Sequence, residues 1–261
     1  MDIRGILASP LGLLIGVSLG AVGGGGSMLA IPTLVYAAGQ TPSHASATSL
    51  LLVAITAGVG LVPHLRAGHV RVGVGIGFGV AGIGGAILGA SAGTRVGADV
   101  LMLAFSGVMV AAGVVMWMRS RPCPDCEARV TGTLHADIRT VSKVLVAGTV
   151  VGLMTGFFGV GGGFVIVPML VLALGFSMPD AAGTSLVVIV VNSVVSLMSR
   201  LQAGAIEWGV TVPFVVASLI GVAIGGRVSG RSDPRRLQRM FVGLLAVSAA
   251  FTATKSALAV W

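Results

Sequence analysis

Apolar stretches of about twenty residues recur down the whole chain, separated only by short polar intervals. About twenty helical residues cross the ~30 Å hydrocarbon core of a bilayer, so this pattern limits the fold more than any other feature. Composition points the same way. Of 261 residues, 16 are Lys or Arg and 8 are Asp or Glu, 9% in all, against 55% hydrophobic. A soluble domain carries about 25% charged residues, and 9% cannot keep a 26 kDa globule wet. A water-soluble enzyme is excluded on that ground, and disorder is excluded because the polarity is too low. Lipid offers backbone groups no partners, so the spans must be helical. A closed β-barrel would need alternating polarity, which these stretches lack. The expected class is an all-α polytopic membrane protein with about 8 to 10 membrane segments.

The formal net charge is +8 and the sequence pI about 11.3, values that often signal nucleic acid. Here the basic residues sit in the gaps between apolar runs, where they set topology and meet anionic lipid heads. No nucleic-acid partner is expected, because phosphate recognition needs a contiguous basic groove. The first apolar run, from Gly5 behind Arg4, has the look of a secretory leader. A copy of it recurs in mid-chain, so it is read as part of the fold.

Self-comparison finds that copy at a constant offset of 136, the spacing of Pro32 and Pro168. Without gaps, Gly16, Gly20, Gly23, Gly25 and Gly26 fall on Gly152, Gly156, Gly159, Gly161 and Gly162. Thr48-Ser49-Leu50 falls on Thr184-Ser185-Leu186, and Leu65, Ala67 and Gly68 fall on Leu201, Ala203 and Gly204. Gly85 and Gly89 fall on Gly221 and Gly225. A constant offset across the whole length reads as a duplication, with a first membrane repeat over 1–118, a polar cytoplasmic linker over 119–143 and a second repeat over 144–261. Each repeat opens with a long apolar stretch broken by glycines (5–38; 144–174), then a short corner (39–44; 175–180). Three spans follow, near 45–65, 72–93 and 100–118, and near 181–199, 208–226 and 240–258. Glycines at small-xxx-small spacing, such as Gly85 with Gly89 and Gly221 with Gly225, suit close helix packing.

The opening stretch of repeat one is too long for one straight span and short for two. It is either a single broken crossing, which makes the halves parallel, or a hairpin that goes in and returns, which inverts them. The positive-inside rule separates these. The first arrangement divides Lys and Arg 10 to 6 between the faces. The second divides them 12 to 4, with Arg66, Arg71, the linker residues and the 227–239 arginines inside. Inverted repeats with glycine-broken hairpins are the expectation.

The glycine runs, Gly23-Gly24-Gly25-Gly26-Ser27 and Gly159-Val160-Gly161-Gly162-Gly163, each precede a proline. Glycine lets backbone leave helical geometry and approach a ligand. A helix that restarts after such a break presents free N–H groups, a ready anion site. Two facing breaks form the discontinuous-helix pattern of secondary carriers; one break alone would be a packing kink. Gly24, Gly25, Gly26, Ser27, Val160, Gly161, Gly162 and Gly163 are therefore the expected lining. Thr48, Ser49, Thr184 and Ser185, read as opening the next spans, either cap helices or donate to an oxyanion. Asn192, inside a span, glues helices or lines the path. His44 and Asp180 share a repeat position and are either solvated corner residues or groups that titrate or gate. His64, Arg66 and His69 are taken as topological anchors of one short loop. Cys123 and Cys126, a lone CxxC in the linker, are half of a zinc knuckle and stay weak metal candidates; no metal or cofactor is expected.

The glycine-rich break, Pro32, the 39–44 corner, Thr48-Ser49 and Leu65-x-Ala67-Gly68, all repeated at 136, resemble the sulfite exporter TauE/SafE family over nearly the whole chain. The resemblance implies a bacterial-type inner-membrane permease, a secondary carrier that moves sulfite, sulfonates or related small anions. Ser27 opposite Gly163 and the linker CxxC depart from the pattern. The rival readings are a passive anion channel and a scaffold subunit of a membrane complex. An intramembrane enzyme lacks a credible dyad, since no two titratable residues share a span interior. A homodimer fits a small hydrophobic carrier, although no residue specifies one.

Overall fold

The computed structural model describes residues 3–24, 26, 30, 33–34, 39–40, 42–93, 98–118, 138–158, 163–200, 208–229 and 233–260. Among these the secondary structure is entirely helical. The elements are α1 (Ile3–Val22), α2 (Pro42–Arg66), α3 (Val72–Gly93), α4 (Ala98–Met118), α5 (Ile138–Phe158), α6 (Gly163–Leu174), α7 (Met178–Arg200), α8 (Trp208–Ser229) and α9 (Pro234–Val260). Glycine and β-branched residues are poor helix formers in water; the need to satisfy every backbone group internally outweighs that preference in lipid. Among the described residues, four stretches are long and apolar enough to cross a membrane: Thr48–Arg66, Val72–Gly89, Met178–Val195 and Trp208–Arg227. Shorter apolar segments lie in α1, α4, α5 and α6. Leu14, Ile87, Leu88, Trp117, Val146 and Val247 are all more than half exposed, an outer surface that suits acyl chains rather than water. The helix starts differ from expectation. α2 and α7 begin at Pro42 and Met178, inside the anticipated corners, and α5 takes in residues 138–143 of the anticipated linker.

The closest helix approaches run over glycines. A Cβ on Gly16 or Gly20 would land on the backbone of Ser218 or Val222, and one on Gly221 or Gly225 on that of Leu13 or Val17. In the same way Gly152 and Gly156 meet the backbone of Gly82 and Ala86, and Gly85 and Gly89 meet that of Thr149 and Leu153. The second set is the first moved by 136 with the partners exchanged, so α1 packs on α8 as α5 packs on α3. Burial repeats too: Phe78 and Phe214, Leu34 and Leu170, and Thr48 and Thr184 are all essentially inaccessible. So does local geometry. Gly39 and Gly175 have φ of 65° and 69°, and the next N–H, of Gln40 or Phe176, reaches back to the carbonyl of Leu34 or Leu170 at 3.1 or 3.2 Å.

Helix directions follow from which residues meet. Along α1 and α8 the contacts Gly12–Phe214, Gly16–Ser218 and Gly20–Val222 rise together, so these helices are parallel. α2 is also parallel to α8, through Thr48–Thr211 and then Gly60–Val222 and Pro63–Gly226. Hence α1 and α2 point the same way, and the chain has to double back between them. Gly26 does so, lying against Ile15 and Leu19 of α1. α3 is parallel to α5, through Phe78–Gly148 and Gly82–Gly152, and to α7, through Gly75–Val187 and Gly79–Val191. α2 and α7 are antiparallel, with Gly60 beside Leu186 and His64 beside Gly183. α4 and α9 are antiparallel as well, with Gly113 by Leu245 and Gln238 Nε2 donating to the Met116 carbonyl at 2.8 Å. As a result α1, α2, α4 and α8 finish at the face where α3, α5, α7 and α9 begin.

Backbone cannot yield as a flexible side chain can, so a side chain on Gly152 has nowhere to go. Gly152→Val should cost about 2–3 kcal/mol, read as a lower thermal midpoint in detergent. Gly84, with open space around its Cβ position, is the control, and Gly84→Ala should stay within about 0.5 kcal/mol of the parent. Equal midpoints would mean that the α3–α5 approach does not support the fold.

Candidate functional site

α1 ends at Gly23, where φ is +80° and the N–H still closes the last helical turn on Leu19 O at 2.9 Å. A left-handed φ costs an L side chain about 1–2 kcal/mol, which explains a glycine here. Space explains it again, because a Cβ would meet Ser185 Oγ and the backbone of Ala182. Gly24 is buried, and Gly26 is helical and buried. The break of the first half therefore faces α7 at the level of Ala182 to Ser185. At 1.5 Å per residue that is about 6–11 Å along α7 from its start. In the second half, Gly163 opens α6 and is buried. α6 has 12 residues, about 18 Å, and its far end joins α7 within four residues. Its N-terminus thus lies about 18 Å from the end that joins α7. Gly25, Ser27, Val160, Gly161, Gly162, Cys123 and Cys126 lie outside the described residues.

The hydroxyl pairs do not open their helices as expected. Thr48 and Thr184 are each two turns inside, since α2 and α7 start at Pro42 and Met178. They tie helices together instead. Thr48 Oγ1 lies 3.4 Å from Thr211 Oγ1 of α8, and Thr184 Oγ1 accepts the Arg71 N–H at 3.1 Å just before α3 begins. Ser49 is buried. Ser185 Oγ donates to Ala182 O at 2.7 Å, which turns its oxygen toward Gly23. Asn192 is half-buried, with its amide beside Gly79 and Gly82 of α3. These hydroxyls and helix ends are neutral hydrogen-bonding groups.

The titratable residues need three corrections. Asp180 is not a solvated corner residue but a buried one in the first turn of α7. Ser177 caps that turn, its Oγ accepting the Asp180 N–H at 3.3 Å, an S-x-x-D capping pattern legible in sequence. His69 is not simply a loop anchor, for its Nδ1 sits 3.0 Å from Asp180 Oδ1. His64 is not in a loop at all. It lies within α2, 4% exposed, and its Nε2–H donates to Gly20 O at 3.2 Å. That carbonyl belongs to the last turn of α1. An ionisable residue inside a span is a functional signal in itself, and weighing His64 by that rule would have found it. His44, which shares a repeat position with Asp180, is half-buried in the first turn of α2. Among the described residues no three His, Cys, Asp or Glu cluster as metal ligands would.

The family description "Sulfite exporter TauE/SafE" matches residues 8–252. The chain belongs to that family. It is similar to a "Probable membrane transporter protein" of Xylella fastidiosa (strain 9a5c), 32% identical over 92% of this chain and 90% of that one. It is also similar to "Probable membrane transporter protein YdhB" of Bacillus subtilis, 25% identical over 82% and 86%, and to YunE of the same organism, 22% identical over 87% and 89%. No solved structure matches the chain significantly. Membership in the family makes this protein a membrane transporter.

Gly23→Ala should lower the thermal midpoint by the equivalent of about 1–2 kcal/mol from backbone strain alone, and more if Ala182 cannot move. Gly58, which has nothing near its Cβ position, serves as the control through Gly58→Ala. A midpoint unchanged by Gly23→Ala would remove the tight reversal at the end of α1.

Proposed function

We propose that the protein is a secondary carrier for a small anion such as sulfite or a sulfonate, working as an exporter in a bacterial-type inner membrane by alternating access. The observation that best supports this reading is the pair of returning segments. α1 and α2 run in one direction and α5 and α7 in the other, which accords with two inverted repeats, each opened by a glycine-broken hairpin. In such carriers, half-helix N-termini point at the anionic part of the substrate. Gly24 to Ser27 and Val160 to Gly163 would line the site, while Thr48, Ser49, Thr184, Ser185 and Asn192 would add side-chain donors. His44 and Asp180 are the gating or proton-coupling positions. The anion and the lipid bilayer are the partners this reading requires, with a homodimer as the assembly that a small apolar carrier would adopt.

The charge distribution supports an orientation. Among the described residues, chain segments at the face where α7 begins carry Arg66, Arg71, Arg139, Lys143, Arg227, Arg235, Arg236 and Arg239. Among the described residues, Arg4, Arg200 and Lys255 belong to the other face. By the positive-inside rule the first, basic face is cytoplasmic. In a Cys123→Ser/Cys126→Ser background, Arg95→Cys should react with an impermeant maleimide in intact cells, and Arg235→Cys should not. The reverse pattern would overturn the orientation.

Transport is tested with labelled sulfite and sulfoacetate in proteoliposomes, with and without a pH gradient. Saturable flux that responds to the gradient, together with countertransport, is the expected result. A leak indifferent to the gradient would replace the carrier with a channel.

A further inference from the structure

α2 runs through His64 and ends two residues later in a glycine-capped turn. Gly68 takes a φ of 74°. The His69 N–H donates to His64 O at 3.1 Å and the Gly68 N–H to Leu65 O at 3.1 Å, the paired bonds with which a left-handed glycine closes a helix. The backbone of His64 is thereby fixed, and its side chain crosses to α1, where Nε2 lies 3.2 Å from Gly20 O. A carbonyl oxygen only accepts, so Nε2 carries the hydrogen.

Three other helices converge on this bond. Gly20 is in the last turn of α1, and a Cβ there would meet the backbone of Val222 and Gly226 of α8. On α7, a Cβ on Gly183 would meet the His69 carbonyl and, at 3.2 Å, the His64 Cβ. Gly183 falls between Ala182 and Ser185, the two residues that a Cβ on Gly23 would meet. One turn of α7 therefore receives both the break after α1 and the residue that holds the end of α1. Gly20 and Gly23 are a single turn apart, closed by the Gly23 N–H on Leu19 O at 2.9 Å, so a shift of Gly20 is carried to Gly23. An imidazole inside a span is a costly way to fill space, since an apolar side chain fills it with no donor to satisfy. What the imidazole adds is a bond of fixed length and direction from α2 to the end of α1.

We propose that His64 is a positioning residue for the first break. Its Nε2–H bond to Gly20 O holds the last turn of α1 against α2 and so sets the place of Gly23 beside Ser185 on α7. In this role it acts through α1 rather than on the anion itself. The transport part of the inference rests on the carrier reading, in which the space beside Gly23 and Ser185 receives the anion; the hold on α1 stands without it.

Hydrogen exchange of the full-length protein in detergent tests the hold. His64→Leu removes the donor, and His64→Asn has an amide too short to reach Gly20 O. His64→Gln restores an N–H at about the reach of Nε2. Amides of residues 18–24 should exchange about threefold to tenfold faster in the Leu and Asn variants, the scale of one lost hydrogen bond, and return toward the parent in the Gln variant. Residues 145–155 of α5 should not change, whereas a loss of overall stability would speed both segments. Equal protection of 18–24 in all four proteins, or faster exchange of both segments that Gln does not reverse, would overturn the proposal. The ring nitrogen signals of ¹⁵N-histidine protein, with His64 assigned by its loss in His64→Gln, read the bond in the parent itself. An Nε2–H ring is expected, and a ring protonated on Nδ1 alone would sink the proposal whether or not the Leu and Asn variants fold.

Sulfite flux in proteoliposomes then tests the use of the hold. The half-saturating concentration should rise about threefold to tenfold in His64→Leu and His64→Asn, with the maximal rate within about twofold of the parent, and His64→Gln should recover it. Saturable flux with parental half-saturation in both variants removes the positioning role and keeps the carrier. Local loss of protection with no saturable flux in any protein, the parent included, keeps the hold on α1 and removes the carrier reading.

Discussion

Everything in this fold depends on backbone meeting backbone across α1–α8 and α3–α5. Lipid gives helices little hydrophobic reason to associate, so contact area has to come from close approach. Gly16, Gly20, Gly221 and Gly225 on one pair, and Gly85, Gly89, Gly152 and Gly156 on the other, remove the side chains that would keep the helices apart. Each of these pairs joins a helix from the first part of the chain to one from the second. The protein is therefore not two bundles side by side but two interleaved sets, each completed by the other.

That interleaving brings the functional groups together. The end of α1 reaches α7, so Gly23 faces Ala182 and Ser185. The loop before α3 reaches the same helix, so Arg71 meets Thr184 and His69 meets Asp180. α7 lies at the centre of these contacts, and an uninterrupted run from Asp180 to Ile189 is buried. A helix enclosed in this way can carry hydroxyls and a carboxylate that would be costly against lipid.

Much of the plan is legible in the chain itself. Span positions follow from apolar length, and α3 begins and ends where the sequence suggests, at Val72 and Gly93. The small-residue faces of α3 and α8 are visible as Gly85-xxx-Gly89 and Gly221-xxx-Gly225. The helix starts were less legible. Proline, serine and aspartate in the corners look like loop, yet Ser177 and Asp180 are a helix cap and its third residue, which shifts Thr184 and Ser185 two turns inward. The histidines were misjudged because clustering near Arg66 suggested a solvated loop, whereas α2 continues through His64.

The sequence by itself determined that the chain lies in a membrane, that it is helical, and that its glycines recur at a spacing of 136, because apolar length, backbone satisfaction and residue identity are local properties. Only the tertiary structure decided which helices those glycines join, that α1 and α2 point the same way, and that His69 finds Asp180 across 111 residues of chain. Direction and partnership are relations between distant segments. They are set by which surfaces can come closest once every span is equally apolar, and no local pattern in the chain records that outcome.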